Sequence, residues 1–423
     1  MVALALLPVS AYGADSSTAT TDTQTAVPAT TTSTQASAGA LPQFTISSLV
    51  TRMSVERLIT KRAAALRLPS ALGEIALNED GSTLWAHNPE LQLMPASTMK
   101  IVTTTVALEH LGANWRPHTT VRFDTATSTL ALVGGGDPQL TKAQLTTLAR
   151  QAVDTLTAQG LTPSRIVIDD SLFPTPTLQP GVPASWIPVE ERPVRALVVD
   201  GQRVPDSGLA AGKVFRTILA GMGVHAPFAG REVSAGETIA SIAGYTLRSA
   251  IQHMLLVSDN DTAEMLFRLS ALAPGRTASW ADARTTALET LASLGVDTAT
   301  VRLVDGSGLS HNNRLTAATL AQLLHLDLAR PRTAILPTLL PRAGRTGTLW
   351  YRYTTAPSKC VRGRLYAKTG SLEQVVTLAG YAPAPQGRWR PFAILVNGVQ
   401  PNEYVRWKTR LAIDTVAAAI GGC

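Results

Sequence analysis

Three short motifs constrain this 423-residue chain more than its composition does. In order, they are Ser97-Thr98-Met99-Lys100, Ser258-Asp259-Asn260 and Lys368-Thr369-Gly370. Each one alone has an ordinary interpretation, as a chance pairing, a helix cap or a strand end. Their occurrence together and in this order is far harder to obtain by chance. Together they supply a serine nucleophile, two lysines, and a second serine with an amide. The sequence therefore predicts an active-site serine enzyme without a Ser-His-Asp triad.

The first motif is predicted to lie in the first turn of a helix over residues 97–111, because Pro95 precedes it and Gly112 follows it. Positions i and i+3 share a helix face, so the amine of Lys100 can reach the hydroxyl of Ser97. The free N–H groups and positive dipole of a helix start would stabilise an oxyanion and lower the pKa of Lys100. We therefore expect Ser97 to be the nucleophile and Lys100 its base.

The second motif lies between two predicted helices, over residues 245–256 and 262–269. We expect Ser258 to relay a proton and the Asn260 amide to hold a substrate backbone. Asp259 is expected to point away and to be structural.

The third motif is placed at the end of a strand predicted over residues 363–368. Lys368 supplies a catalytic cation, and Thr369 supplies a hydroxyl for a substrate carboxylate. Gly370 removes a side chain, which would let a ligand approach the strand edge. The backbone N–H of Ser371 is expected to serve as an oxyanion donor opposite that of Ser97.

Composition and charge limit the classes of protein to which the chain can belong. Hydrophobic residues make up 45% of the chain and charged residues 16%, as in globular proteins, and the formal charge is +7. No basic run interleaved with aromatic residues occurs, so no nucleic-acid partner is predicted. Attraction to an anionic cell envelope and a merely basic surface remain as interpretations of the excess charge. The seven histidines show no metal-ligand spacing, and we predict no metal and no cofactor.

Residues 1–13 resemble a secretory signal, with an apolar run and a small-residue cleavage site, and the alternative is an exposed apolar tail. Residues 14–40, rich in Ser, Thr and Ala, are predicted to be a flexible spacer. We expect secretion to the periplasm or cell wall, with a membrane tether if the true start lies upstream. Cys360 and Cys423 either form one disulfide or are two free thiols.

The globular part is divided by composition. Residues 121–235 are rich in β-branched residues, Pro and Gly, and are predicted to be an inserted domain, while 41–120 and 236–423 form the catalytic domain. A helix is predicted over 59–68 and another over 403–420. Strands are predicted over 72–77, 82–86, 363–368, 375–381 and 389–396. The fold class is α/β, with one sheet that unites both ends of the chain.

At these residues the sequence resembles a family, the class C low-molecular-mass penicillin-binding proteins. These are D-alanyl-D-alanine carboxypeptidases and endopeptidases of the DacB type. The resemblance covers about residues 50–420. Beside the three motifs it is carried by Gly134-Gly135-Gly136-Asp137-Pro138, Ala263-Glu264, Asp305-Gly306-Ser307-Gly308-Leu309-Ser310, Asn313-Arg314 and Gly347-Thr348-Leu349.

The resemblance implies a penicillin-binding-protein or β-lactamase-like domain: an antiparallel sheet flanked by helices, a helical subdomain and a smaller inserted domain. It also implies that Ser97 attacks the penultimate D-Ala carbonyl of a peptidoglycan stem peptide, and that water hydrolyses the acyl-enzyme. β-Lactam antibiotics would acylate the same serine as inhibitors. Asp137 and Ser307, within family motifs, are expected to bind substrate.

Two departures from the family pattern stand out. His311 replaces an arginine that faces the substrate pocket in the family, so His311 is expected to contact the substrate. Ser258 follows Lys100 by 158 residues, a shorter gap than is usual in the family, and we infer that one of the family's two inserted domains is reduced or missing.

Two alternative functions remain: a class A-like β-lactamase and a non-catalytic wall-binding scaffold. The balance of carboxypeptidase and endopeptidase activity stays open.

Overall fold

The structure, a computed structural model, describes residues 52–65, 71–187 and 190–423. The predicted signal over 1–13 and the predicted spacer over 14–40 lie outside the described residues. The strands are β1 Ala71–Leu77, β2 Thr83–His87, β3 His118–Asp124, β4 Thr129–Val133, β5 Arg165–Asp169, β6 Phe228–Arg231, β7 Glu237–Ala243, β8 Tyr366–Leu372, β9 Val375–Pro383 and β10 Trp389–Asn397. The helices are α1 Arg52–Ala65, α2 Met99–His110, α3 Lys142–Ala158, α4 Ser207–Ala220, α5 Leu247–Val257, α6 Asn260–Leu269, α7 Trp280–Ser293, α8 Ala317–Ala329, α9 Leu336–Leu339 and α10 Glu403–Ile420.

The first sheet unites the two ends of the described chain, as predicted. Its five antiparallel strands have the order β2-β1-β10-β9-β8, so that β8 forms one edge. The sheet is covered on both faces, because alternate residues of β10 enter different cores. Ala393 and Leu395 pack with α8, whereas Phe392 and Ile394 pack with α1 and α10.

Helix α2 is central to the molecule and positions the first motif. Its first ten residues, from Met99 to Leu108, are all buried. A helix that is enclosed on every side is held by its neighbours rather than by one amphipathic face. This burial fixes the position of Lys100, which lies in the first turn of α2.

The second sheet is built from residues 118–243 and has the mixed order β6-β5-β4-β3-β7. Helices α3 and α4 cover it, and Leu148 and Phe215 lie in their shared core. Thr141 caps α3 in a capping box with Gln144, a signal that the sequence carried and our prediction did not use. The limits 121–235 for an inserted domain stay a prediction.

Several predicted boundaries were wrong in detail. Helix α1 begins at Arg52 rather than at residue 59, because Val55 as well as Ile59 packs into the core with α10. The prediction ended this helix at residue 68, which lies outside the described residues. Helix α5 is shifted to Leu247–Val257, and α6 already begins at Asn260 because Asp259 caps it.

Strand β8 was predicted over 363–368 and lies instead at Tyr366–Leu372. Gly363, with φ +70°, belongs to the preceding turn. The strand then continues to a tight connection with β9, where Leu372 is paired with Val375. The third motif therefore lies in the middle of an edge strand and not at its end.

The C-terminal helix was predicted at its observed limits, Glu403–Ile420. Cys360 and Cys423 form a disulfide with their Cα atoms 6.2 Å apart, so of the two alternatives left open by the sequence the structure shows the disulfide.

Among the described helices, we find none with the length and apolar character needed to cross a membrane.

Candidate active site

The three motifs meet in a single cleft of about 470 Å³ beside the edge strand β8. Its lining contains at least one residue from each motif. The lining residues are Ser97, Glu190, Arg203, Val257, Ser258, Asp259, Asn260, Leu309, Thr348, Tyr351, Arg352, Thr369, Ser371 and Arg410.

Ser97 lies in a short 3-10 turn, Ala96–Thr98, that precedes α2. The prediction had placed it within the α-helix itself. Ala96 has φ +47°, a left-handed conformation that is uncommon for residues with a side chain. Such strain is often found at functional sites, where surrounding packing holds it in place. Here the Thr98 hydroxyl donates to the carbonyl of Pro95 at 2.6 Å and closes the turn.

Lys100 is fully buried, and its Nζ atom has three acceptors. It donates to Ser97 Oγ at 3.0 Å, to Asn260 Oδ1 at 2.8 Å and to the carbonyl of Ser307 at 2.9 Å. Three acceptors match the three N–H groups of an ammonium ion. After loss of one proton, two acceptors can still be satisfied by N–H groups while the lone pair faces Ser97.

The environment of Lys100 favours that loss. Burial lowers its pKa from 10.5 to about 8, against the opposing effect of nearby carboxylates, of which Glu264 is the strongest. A lysine with this pKa has a sizeable neutral fraction near neutral pH and can act as a general base.

The loop over residues 305–310 fixes the acceptor beneath Lys100. Glu264 accepts hydrogen bonds from the backbone N–H groups of Gly306 at 2.9 Å and Ser307 at 2.8 Å. Asp305 accepts from the N–H groups of Gly308 and Ser310 at 2.9 and 2.6 Å. Burial raises the pKa of Glu264 to about 8, and the charge of Asp305 adds to this rise.

A second hydroxyl-amine pair faces the same cleft. Lys368 Nζ donates to Ser258 Oγ at 2.9 Å and to the carbonyl of Thr369 at 2.8 Å. Burial lowers the pKa of Lys368 well below its usual range, and the charge of Lys100 adds to this effect. Ser258 has φ +63° at the end of α5, which turns the chain between α5 and α6. Asp259 caps α6, and its carboxylate accepts from Thr262 N at 2.6 Å. It also borders the cleft, contrary to the expectation that it points away.

Hydroxyl groups line the β8 wall of the cleft. Thr369 Oγ1 donates to Thr348 Oγ1 at 2.8 Å, and both residues border the cavity together with Ser371. The outer edge of β8 is bridged at its start, where Tyr366 pairs with Arg342 and Ala367 N donates to the carbonyl of Pro341. From Lys368 onward, no further strand of the described residues pairs with this edge. The backbone groups along this part of β8 and the two threonines can bind an extended peptide that ends in a carboxylate.

Gly370 does not line the cleft, contrary to our expectation. A Cβ atom at this position would lie 2.1 Å from Thr377 Oγ1 and 3.0 Å from the Ala96 side chain. The glycine is therefore required for packing of β8 against β9 and the Ser97 turn, not for approach of a ligand to the strand.

Three further residues expected to bind substrate lie elsewhere. Asp137 is buried beside Gly244, where it accepts from Gln139 N at 2.9 Å. Ser307 is also buried and acts on the site through its carbonyl group. His311 packs its ring edge-on against Trp186, with the centroids 5.5 Å apart. None of the three is among the described residues that line the cleft.

Sequence reasoning missed other residues of the cleft. Thr348 belongs to a motif that we quoted but gave no role. The carbonyl of Glu190 accepts from Asn260 Nδ2 at 2.9 Å, across 70 residues of sequence. Three arginines also border the cavity, Arg203, Arg352 and Arg410, without any local pattern that marks them.

Comparison with known sequences agrees with this geometry. The sequence profile of the D-Ala-D-Ala carboxypeptidase 3 (S13) family matches residues 53–209 and 187–420. Carboxypeptidase DacB of Mycolicibacterium smegmatis is 33% identical over 396 residues, which cover 86% of this chain and 84% of the relative. Carboxypeptidase Rv3627c of Mycobacterium tuberculosis is 31% identical over 414 residues, covering 91% of this chain and 87% of the relative.

Comparison with solved structures confirms the predicted fold class. Penicillin binding protein 4 (dacB) of Haemophilus influenzae superposes with a TM-score of 0.71 at 20% identity, over 85% of this chain and 98% of that one. A structure of the same Haemophilus protein complexed with a novel β-lactam gives a TM-score of 0.65 at 21% identity, over the same shares of the two chains.

Proposed function

Because the chain belongs to the D-Ala-D-Ala carboxypeptidase 3 (S13) family and is thus a serine-type peptidase, we propose that Ser97 is its acylated nucleophile, acting on peptidoglycan stem peptides. The observation that carries this proposal is the contact of 3.0 Å between Lys100 Nζ and Ser97 Oγ in the cleft.

In the first step, neutral Lys100 accepts the proton of Ser97 while Oγ attacks the carbonyl carbon of the penultimate D-Ala. A tetrahedral oxyanion forms, and backbone N–H groups of Ser97 and Ser371 are its proposed donors. Ser258, whose Oγ accepts a hydrogen bond from Lys368, gives its hydroxyl proton to the departing nitrogen. Ser258 takes up in its place the proton that Lys100 removed from Ser97, so Lys100 is neutral again for the second step. The C–N bond breaks and free D-Ala leaves, with the peptide held as an ester on Ser97.

Recognition of the terminal carboxylate is proposed for the wall formed by β8. Thr369 and Thr348 present hydroxyl groups 2.8 Å apart, and a carboxylate with two oxygens can accept from both. Three arginines and two acidic residues line the cleft, an excess of one positive charge that favours an anionic ligand. Arg352 and Arg410 are also paired with Asp414 and Glu403 outside the lining.

In the second step, water attacks the ester and regenerates Ser97, with Lys100 again the proposed base. β-Lactams carry a strained amide and a carboxylate in similar positions, so they are proposed to acylate the same serine. The complex of the Haemophilus relative with a β-lactam supports this ligand class.

We place the reaction outside the cytoplasm, where peptidoglycan lies. The disulfide between Cys360 and Cys423 supports this location, since such bonds persist in oxidising compartments. Attachment to an anionic envelope through the +7 charge belongs to the same proposal.

The reaction is tested by D-Ala release from a soluble peptide that ends in D-Ala-D-Ala. Wild-type protein should release D-Ala, and Ser97→Ala should not. Ser293→Ala, at the exposed end of α7 and outside the cleft lining, should retain wild-type activity. No release by the wild type would overturn the proposed substrate.

A cross-linked muropeptide dimer tests endopeptidase activity on the same preparation. Cleavage of the dimer into monomers would assign that activity also to Ser97. Release of D-Ala without dimer cleavage would restrict the enzyme to carboxypeptidase action.

A further inference from the structure

An exposed group of aromatic side chains lies next to the cleft and has no role in the chemistry above. It consists of Trp350, Tyr351, Tyr404 and Trp407, which we call the aromatic face. Their exposed fractions are 65%, 55%, 60% and 49%, and they are four of the eight large hydrophobic side chains found exposed among the described residues. Such a concentration marks an interaction surface.

The aromatic face is continuous with the cleft. Tyr351 and Arg410 both line the cavity. The segment that contains Tyr351 is fixed to α10 by Arg352, which donates to the carbonyl of Arg410 at 3.3 Å and to Asp414 at 2.7 Å. Trp407 precedes Arg410 by three residues on the same helix, so the two side chains share one face. The surface therefore extends outward from the cleft along the start of α10.

The rings are held in place rather than free. Tyr404 and Trp407 are stacked, with centroids 6.0 Å apart and planes at 25°. Lys408 Nζ lies 4.6 Å from the Tyr404 centroid. The rings of Trp350 and Tyr351 meet edge to face at 5.8 Å. Preordered rings lose little entropy when a ligand binds, which favours recognition of a flat partner.

We infer that the aromatic face binds the glycan strand that carries the stem peptide, an inference that rests on the proposed function. A stem peptide seated in the cleft is covalently joined to a polymer of N-acetylated sugars, which must continue over an adjoining surface. Sugar rings expose C–H groups on their faces, and these are attracted to the negative face of an aromatic ring. Hydroxyl and acetamido groups at the sugar edges can bond to the basic side chains beside the rings.

A membrane surface fits the same residues less well. Helices that bind bilayers usually insert Leu or Phe together with Trp, beside a row of basic residues. Within α10 and residues 347–353, the large hydrophobic side chains that are exposed are all aromatic with a polar atom, Trp or Tyr. Glu403 also lies at this surface, paired with Arg406 and Arg410, and reduces its positive charge.

The test uses Trp350→Ala and Trp407→Ala, both exposed and both outside the cleft lining. Tyr245→Ala, 47% exposed and located before α5, is the matched control. Penicillin acylation and D-Ala release from a free peptide should stay at the wild-type level in all three variants. With glycan-linked peptidoglycan fragments as substrate, kcat/KM should fall about fivefold in each Trp variant through a higher KM, and not in the control. Sedimentation with peptide-free glycan chains should fall in parallel.

If kcat/KM on the glycan-linked substrate stayed at the wild-type value in both Trp variants, the inference would be overturned. It would also be overturned if the variants lost binding to vesicles of anionic phospholipid while retaining glycan binding, which would assign the face to a membrane. If wild-type protein neither reacted with penicillin nor released D-Ala from the free peptide, the proposed function itself would fail. The two failures are therefore distinguishable.

Discussion

The Nζ atom of Lys100 lies 2.9 Å from the backbone carbonyl of Ser307, a contact that spans 207 residues of sequence. It connects the first motif to a loop whose conformation is set by Glu264 and Asp305. The reactive amine is therefore aimed at Ser97 by a buried loop as well as by the helix on which it lies. Ser307 therefore contacts the reactive amine through its backbone carbonyl, although its side chain does not line the cleft.

The pKa of Lys100 predicts the pH dependence of acylation. Only neutral Lys100 can accept the Ser97 proton, and burial lowers its pKa to about 8. The acylation rate by penicillin should therefore rise about tenfold per pH unit below this value and level off above it. Stopped-flow acylation between pH 6 and 9 measures the profile. Lys100→Arg, permanently charged, should be inactive, while Lys142→Arg on the exposed start of α3 should match wild type. A flat wild-type profile would contradict Lys100 as the base.

Replacement of Glu264 tests the supporting loop. Glu264→Gln places an NH2 group against the N–H of Gly306 or Ser307, so one hydrogen bond is lost at a buried site. We expect a loss of about 1–3 kcal/mol in the free energy of unfolding. Acylation of Ser97 should also become slower, because the Ser307 carbonyl that accepts from Lys100 would move. Urea unfolding and acylation rates measure both effects, with Glu237→Gln on β7 as an exposed control.

The stability difference should depend on pH. Burial raises the folded-state pKa of Glu264 from 4.5 to about 8. The stabilising contribution of the protonated carboxyl is therefore complete below the unfolded value and is lost as pH rises through 8. The difference in the free energy of unfolding between wild type and Glu264→Gln should therefore narrow between pH 4.5 and 8 and stay constant above that. A constant difference over the lower of these two ranges would show that Glu264 is ionised throughout.

Thr348, a residue that sequence reasoning gave no role, should affect carboxylate recognition. Thr348→Val removes the hydroxyl that accepts from Thr369 and faces the cleft. We expect kcat/KM for a peptide ending in D-Ala-D-Ala to fall roughly 10- to 100-fold, as for loss of a hydrogen bond to a charged group. Thr348→Ser should recover most of it. An equal loss with the C-terminally amidated peptide would argue against contact with the carboxylate.

The sequence predicted the chemistry better than the contacts that support it. Ser97 and Lys100 were placed together because helix geometry fixes residues three positions apart. The order of the three motifs then predicted a shared cleft, and the structure brings Ser97, Ser258 and Thr369 to it. The limits of α10 were also predicted, and in the structure Asn402 caps its start and Gly421 follows its end.

Local sequence patterns could not predict contacts between segments that are distant in the sequence. Nothing near Asn260 indicates that its amide meets the carbonyl of Glu190. Gly370 was predicted to admit ligand, whereas the structure shows that packing against Thr377 requires it. Strand β8 was placed too early because apolar pattern and turn residues do not reveal the register with β9.

Removal of the disulfide should lower the free energy of unfolding strongly and affect acylation little. The bond closes a sequence separation of 63 residues and fixes the end of the chain that follows α10. Cys360→Ser should lower the free energy of unfolding by about 4 kcal/mol in the chain-entropy estimate. Penicillin acylation of the folded protein should persist. Cys423→Ser and the double variant should give the same loss, and unchanged unfolding midpoints in urea would show that the bond does not form.

The central claim, that Ser97 is the acylated nucleophile, is tested most directly by intact mass after addition of penicillin. Wild type should gain the mass of one penicilloyl group and keep it for longer than the measurement takes. Ser97→Ala should gain none, and Ser293→Ala, outside the cleft lining, should behave as wild type. An adduct that persists in Ser97→Ala, or none in a wild type that leaves penicillin intact, would contradict the account. Fast penicillin hydrolysis without a lasting adduct would favour a β-lactamase.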